Sequence, residues 1–394
     1  MKKKGLFLAL SLLALTACNP AKTQSSESIS TSSGVSGVIE ITDMVGRKVS
    51  VDTDKVNRVV CIGAGALRLY SYVGEISSLS GVEDIDNPNS IFMWQQVSRP
   101  YYLANKEAFA KLPSCGVGGP KNQSAESEKI LSCRPDIVIS EYEDVTAEDE
   151  LQNTLGVPVI TVKYGPKTVF DDNIKNSIKM LGQIFKKEER AKALTDAIAN
   201  AEKELKEKTQ DIAEEDKPSV YAGCVGNWGQ TNIYGTAANY APFQIAGIKN
   251  AVDGQTAAPG QQTITKEKFQ TLDIDKIILD ASGMANFAAE YKEEGNATLF
   301  DNLPAVLNGE VYLQMPYNAY YTNIETALIN TYFAASVTYP SRFESFNIEE
   351  KADEIHTLFN GKALYSEIKS LSGSYGGYQR IENLSAWMTE KFGA

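Results

Sequence analysis

Across residues 187–212 the apolar side chains keep a helical period. Ala191, Leu194, Ile198, Ala201 and Leu205 recur three or four positions apart and draw one stripe down an otherwise charged segment. Glu188 and Glu189 open it, where acids suit the positive end of a helix dipole, and neither Gly nor Pro interrupts it before Pro218. A helix of that length reaches roughly 39 Å, more than the width of one small lobe. Taken alone, the pattern fits a surface helix of one large domain as well as a strut between two. Its flanks favour the strut, because each carries its own series of short strand-like and helical runs.

Upstream, residues 38–51 alternate apolar and polar positions around Val45-Gly46-Arg47, the pattern of a hairpin. Runs at 58–62, 79–82, 135–139 and 157–162 are short and apolar, as strands are, while 66–73, 124–132, 147–155 and 170–185 read as helices. Downstream the alternation starts again, with strands at 219–224, 275–280 and 310–314 and helices at 240–245, 266–272, 323–339, 348–359 and 383–392. Strands alternating with helices predict mostly parallel sheets covered on both faces. The expected organisation is an α/β lobe at 38–186, a connecting helix at 187–212, a second α/β lobe at 213–345 and a C-terminal helical segment at 346–394.

The N-terminus stands outside that scheme. Lys2, Lys3 and Lys4 precede an apolar run at 6–15 that is too short to span a bilayer. Leu15-Thr16-Ala17-Cys18 then resembles a bacterial lipobox, which implies a leader at 1–17 and lipidation at Cys18. Residues 18–37 are rich in Ser, Thr and Gly and nearly devoid of large apolar side chains, so they predict a disordered tether. The expectation is an exported protein held to the cell membrane by lipid alone.

Formal net charge is −12, and removal of the three leader lysines takes it to −15. An acidic body without a basic cluster argues against nucleic-acid binding. Beyond Cys18 the cysteines are Cys61, Cys115, Cys133 and Cys224, none in CxxC spacing and none beside a histidine, so zinc spacing is absent. Cys61 and Cys224 sit in apolar strand-like runs and read as buried thiols. An exported setting permits a disulfide, and Cys115–Cys133 is the expected pair.

Catalytic signatures are missing. The one histidine, His356, lies in a helical run and reads as a surface or partly buried helix residue. A single histidine excludes HExxH and multi-histidine metal sites, and no GxSxG elbow or P-loop is present. Gly63 and Gly65 begin a dinucleotide-like turn, but Arg68 stands where the third glycine belongs, so a strand-to-helix turn fits better. No enzyme activity, catalytic residue, intrinsic cofactor or protein-built metal site is expected.

Two stretches match across the strut. Glu128 is followed eight positions on by Asp136 in EKILSCRPDIVI, and Glu267 is followed eight positions on by Asp275 in EKFQTLDIDKII, each run passing from a helix into a strand. Helix-dipole preference accounts for such acids, and so does symmetrical seating on a two-subunit partner. With the strut, with Ile41-Thr42-Asp43-Met44-Val45-Gly46-Arg47 before Arg58-Val59-Val60, and with the run from Ala241 to Asn250 (APFQIAGIKN), these stretches resemble the helical-backbone substrate-binding proteins of ABC importers, the class III periplasmic binding proteins that take iron-siderophore, haem and corrinoid ligands. The likeness spans about residues 38–365.

That resemblance implies an α/β fold of two Rossmann-like lobes joined by a single long α-helix, with the ligand cleft between them. It implies a monomer that delivers a chelated metal (a ferric siderophore, haem or a corrinoid) to an ABC permease dimer with its ATPase, docking through Glu128 and Glu267. Loops at strand C-terminal ends face the crevice in such sheets. The expected ligand contacts are Trp94, Arg99, Tyr101, Tyr142 and Tyr164 in the first lobe, and Trp228, Tyr234, Asn239, Tyr240, Tyr317, Tyr320 and Tyr321 in the second. Aromatics suit a flat, partly apolar ligand, and Arg99 suits its carboxylate or phosphate groups. Ordinary packing explains any one of these residues equally well. A lipoprotein presenting its ligand to a sensor or receptor, or an importer component for another small molecule, also fits.

Overall fold

The computed structural model describes residues 37–90, 96–119, 124–164, 170–226, 230–256 and 260–394. The leader, Cys18, Trp94 and Trp228 lie outside them.

The first lobe opens with the hairpin β1 (Val38–Thr42) and β2 (Lys48–Asp52), docked on the lobe by the Met44 amide donating to the Thr161 carbonyl. Strand β3 (Val59–Ile62) ends at Gly63, and helix α1 (Ala66–Val73) follows at once. Strand β4 (Val82–Glu83) leads to helix α2 (Pro100–Phe109), and β5 (Ser114–Gly116) returns to pair with β4. Helix α3 (Ser127–Ser132), β6 (Ile137–Ser140), α4 (Val145–Leu155), β7 (Val159–Thr161) and α5 (Asp172–Ile184) complete the lobe. Its central sheet is parallel in the order β3-β6-β7, with Val59 opposite Ile137 and Val138 opposite Val159. Every residue of β3, β6 and β7 is buried, as expected of parallel strands covered on both faces.

Helix α6 (Glu188–Thr209) is the strut, and its buried residues include the apolar stripe seen in the sequence. One end packs on α5, and the body of the helix packs against helices of the second lobe. That lobe holds β8 (Ser219–Gly223), β9 (Gly235–Ala238), α7 (Ala241–Ile245), β10 (Lys249–Asn250), β11 (Gly260–Thr263), α8 (Lys266–Gln270) and β12 (Lys276–Asp280). It continues through α9 (Met284–Lys292), α10 (Asn296–Asp301), α11 (Pro304–Leu307), β13 (Val311–Gln314) and α12 (Ile324–Thr338). The C-terminal segment adds α13 (Ile348–Asn360), α14 (Tyr365–Ser370), β14 (Gln379–Ile381) and α15 (Leu384–Phe392). The second sheet runs β10-β8-β12-β13-β14, parallel except for β14, so the segment read as purely helical also supplies an edge strand.

The tail touches both lobes. Helix α13 packs on α12 and on α2 of the first lobe, Lys106 pairs with Glu367 at 2.7 Å, and Arg190 donates to the carbonyls of Leu358 and Phe359. On the other side α15 lies on α9 and α10. His356 belongs to this interior: it is 2 % exposed rather than on a surface, and burial pushes its imidazole down to about 3.

All four described cysteines are buried and free, which corrects the expected Cys115–Cys133 disulfide. Both thiols lie in a small core with Val60, Ile62, Ile130 and Val138, where the Cys133 thiol contacts the Ser114 carbonyl and the Cys115 thiol the Cys61 carbonyl.

Candidate functional site

The lobes meet where the C-terminal ends of β3, β6 and β7 face the loop that follows β13. The centre of the contact is Arg68, 0 % exposed, on the inner side of α1. Its Nε donates to Asn323 Oδ1 (2.9 Å), and Nη1 donates to the Thr322 carbonyl (3.1 Å) and to Tyr164 Oη (3.0 Å). Nη2 donates to the carbonyls of Ala319 (2.7 Å) and Tyr320 (2.9 Å). A guanidinium has five N–H donors, and all five have acceptors, four of them across the lobe boundary. Gly65 makes room for this: at φ +83, a Cβ there would sit 2.6 Å from Tyr164 Oη and 2.8 Å from Arg68 Nη1. Gly65→Ala is therefore expected to cost about 2 kcal/mol or more in urea unfolding, from left-handed strain together with overpacking.

Tyr320 crosses in the opposite direction. Its hydroxyl donates to Glu83 Oε2 (2.9 Å) and accepts from the Gly119 amide (3.0 Å), while the Gly63 amide donates to Glu83 Oε1 (3.1 Å). Tyr321 leans on the Tyr164 ring, centroids 5.3 Å apart, with its hydroxyl interacting with the Glu141 carboxyl. Just behind, Tyr72 donates to Glu325 on α12, whose other oxygen accepts from Asn360 on α13. Burial raises these acids: Glu83 is pushed up to about 7 and Glu141 to about 8, and Glu325 rises as well.

The structure brings Tyr164, Tyr320 and Tyr321 together at this junction. Tyr142, half-buried, follows the same strand as Glu141. Tyr101 lies beneath it, its ring 4.8 Å from the Arg68 guanidinium and its hydroxyl donating to Asp86 (2.6 Å). Arg99, 2 % exposed, is committed to Asp86 (2.9 Å) and the Ile85 carbonyl (2.8 Å). Tyr101 and Tyr102 stand on helix α2, in a stretch that reads as an open connection in the sequence. In the second lobe Tyr240 and Tyr317 pack together, and Tyr240 accepts from Gln314 (2.8 Å). Two residues lie apart: Tyr234 packs with Phe269 and Phe300 and donates to Glu290, and Asn239 is exposed, its amide on Asp253.

Arg68, Glu83, Glu141 and Glu325 were not among the expected contacts. The available signal was a charge set in an apolar helical run, as at Arg68 in ALRLYSYV and Glu325 in IETALINTYF. Such a charge needs a buried partner. Among the described residues no group of three or more His, Cys, Asp and Glu side chains is placed to hold a metal ion.

Glu128 and Glu267 are both exposed in the first turns of α3 and α8. The aspartates that follow them do equivalent work. The Asp136 carboxylate accepts from the Asn57 and Arg58 amides at the start of β3, and that of Asp275 accepts from the Ser219 amide at the start of β8. Each of these aspartates also donates its own amide to the neighbouring strand, at Arg58 and Ser219. The matched spacing in the sequence thus reflects one structural unit used once in each lobe.

Two α/β lobes on a single helical backbone, with polar and aromatic side chains meeting between them, define a solute-binding protein of the two-lobed kind. The chain belongs to the periplasmic binding protein family, whose sequence profile matches residues 71–316. That family is one of solute-binding proteins rather than enzymes. The molybdate-binding protein MolA of Haemophilus influenzae is 20 % identical over 347 residues, covering 81 % of this chain and 90 % of MolA. The molybdate-bound MolA structure superimposes with a TM-score of 0.61 at 17 % identity, over 82 % of this chain and 98 % of MolA. A periplasmic solute-binding protein of Veillonella parvula gives 0.64 at 20 % identity, over 90 % of this chain and all (100 %) of that one. Helicobacter pylori CeuE with Ni(II) bound gives 0.54 at 13 % identity, over 82 % and 96 %. No helix among the described residues is long and apolar enough to cross a membrane.

Proposed function

We propose that this chain captures a chelated metal (a ferric siderophore, haem or a related macrocycle such as a corrinoid) and delivers it to an ABC permease dimer with its ATPase, anchored to the membrane by lipid at Cys18. The observation that carries the reading is that the guanidinium donors of the lobe junction are already committed. Arg68 donates all five N–H groups to the protein, and Arg99 is ion-paired with Asp86. A small oxyanion such as the ligand of MolA needs donors directed at it, and the arginines of this junction are turned to the protein instead. A neutral or cationic chelate brings its own metal donors and needs aromatic surface, which the part-exposed Tyr142, Tyr317 and Tyr321 supply.

The test is a panel of haemin, cyanocobalamin, several ferric siderophores, molybdate and bare divalent ions, read by absorption, thermal shift and native mass spectrometry. A saturable one-to-one shift with one chelate is expected. Response to molybdate or to a bare ion alone would sink the chelate reading.

Docking by Glu128 and Glu267 carries its own prediction. Charge reversal at both (Glu128→Lys with Glu267→Lys) should lower uptake in cells at least tenfold while ligand binding in solution stays unchanged, since such rim charges set orientation and encounter rate. Unchanged uptake would favour presentation of the ligand to a sensor or receptor.

A further inference from the structure

The turn after β13 is built in a way its sequence should resist. Tyr320 (φ 51) and Tyr321 (φ 65) both occupy the left-handed region, which residues bearing a Cβ rarely adopt and which Asn or Gly would enter more readily. The turn closes on itself through an Asn318–Thr322 bridge and the Ala319 amide donating to the Tyr321 carbonyl. Asn323 fills it from within, its amide group donating to the carbonyls of Tyr317 and Ala319. From the other lobe Arg68 gathers the carbonyls of Ala319, Tyr320 and Thr322 together with Asn323 Oδ1.

The fold accounts for Tyr320, whose hydroxyl bridges Glu83 and the Gly119 amide. Tyr321 also reaches the first lobe, at Tyr164 and Glu141, but those contacts leave much of its side chain open. That side chain is 46 % exposed, one of the few large apolar side chains left so open, and it stands on strained backbone against Tyr164 and Glu141. Strain that the surroundings enforce on an exposed aromatic at a cleft is a mark of presentation rather than packing.

We propose that Arg68 is a positioning residue for ligand capture: its guanidinium locks the 319–323 turn of the opposite lobe and so presents the Tyr321 ring to a flat or aromatic metal chelate in the cleft. The inference rests on the reading of the lobe junction as the ligand site. Its consequence is that closure of the lobes and display of Tyr321 are one event, because the residue that holds the turn belongs to the other lobe. Lysine cannot replace Arg68, since a single ammonium cannot reach five acceptors spread over a fork.

The experiment compares wild type, Arg68→Lys, Tyr321→Ala and the double variant of the full chain. Hydrogen exchange is followed on the peptide spanning 316–323, and affinity is titrated with haemin and with a ferric tris-catecholate. In Arg68→Lys, exchange of that peptide should rise at least tenfold and affinity for the bound probe should fall at least tenfold. In Tyr321→Ala, affinity should fall equally while exchange stays near wild type. The double variant should bind no worse than either single one, because Arg68 acts through Tyr321; a merely structural role would make the losses add. Unchanged exchange in Arg68→Lys, or additive losses, would overturn the proposal. If Arg68→Lys does not fold, Arg68→Gln, a neutral side chain that keeps two of the fork's donors, is read by the same criteria. Wild type that binds neither probe would overturn the chelate site and Tyr321's part in it, while the exchange result would still decide separately whether Arg68 holds the turn.

Discussion

A chain ending at Tyr339 is expected to lose cooperative folding altogether, even though it retains the whole of residues 71–316 that match the family. The deleted segment buries Ile355, Phe359, Tyr365, Ile368, Tyr378, Ile381, Leu384, Trp387 and Met388. A large side chain buried in this way contributes about 1.5–3 kcal/mol, and a few of them are comparable with the ~5–15 kcal/mol that separates a folded domain from its unfolded chain. Three further losses follow. Strand β13 becomes an unprotected edge once β14 is gone, the buried Glu325 loses its Asn360 partner, and Arg190 on the backbone helix loses two of its three carbonyl acceptors, keeping only Tyr72. Far-UV circular dichroism melting and size-exclusion chromatography of the truncated chain test this. A sharp melt within a few degrees of the full-length protein would show the tail to be an accessory rather than part of both lobes.

What the sequence revealed about this architecture depended on the range of the interaction. The strut was legible because Ala191, Leu194, Ile198, Ala201 and Leu205 keep their period over about four turns. The central strands were legible because each is a short apolar run beside a helix. The Glu128–Asp136 and Glu267–Asp275 match was legible because it lies within twelve residues in each lobe. Helix α2 was missed: Pro100-Tyr101-Tyr102 begins it with rings that resemble a loop facing a ligand, and these rings are buried beneath the junction. The β9–β11 pair was missed because Gly235–Ala238 and Gly260–Thr263 are small or polar residues with no alternation to read. The centre of the site was hidden most deeply. Arg68 and its acceptors at 319–323 are more than 250 positions apart, so no local pattern joins them. The aromatic residues at strand ends marked the region of the junction; the charges that organise it emerged only with the folded chain.

Stability should peak in acidic solution at about pH 4–4.5 and decline as the pH rises to about 8, the reverse of a protein held by surface carboxylate pairs. Burial pushes Glu83 and Glu148 up to about 7, Glu141 to about 8 and Asp280 to about 6. A carboxyl whose value is raised in the folded state favours folding while it is protonated; that contribution is full below its unfolded-state value and is lost as the pH climbs through the folded one. Each such group therefore withdraws support at about 1.4 kcal/mol per pH unit between its two values, so the three glutamates act together from about pH 4.5 to 7, with Asp280 beside them up to about 6, and Glu141 alone continues to about 8. His356 sets the acid limit. Burial holds its imidazole down to about 3, so its contribution is present above about 6.5, the unfolded-state value, and falls away as the pH drops below that. Above about pH 4.5 four carboxyls outweigh the single histidine, so the opposing slopes place the maximum at about pH 4–4.5, and the melting temperature should fall by several degrees towards pH 8.5. Differential scanning fluorimetry across this range reads it directly, and a flat or rising melting temperature between pH 6 and 8.5 would refute the account. Glu83→Gln separates the contributions. Its amide is neutral at every pH, keeps an oxygen for the Gly63 amide and turns its NH2 towards the Tyr320 hydroxyl oxygen, so the alkaline decline should become shallower while the acid limit set by His356 stays in place.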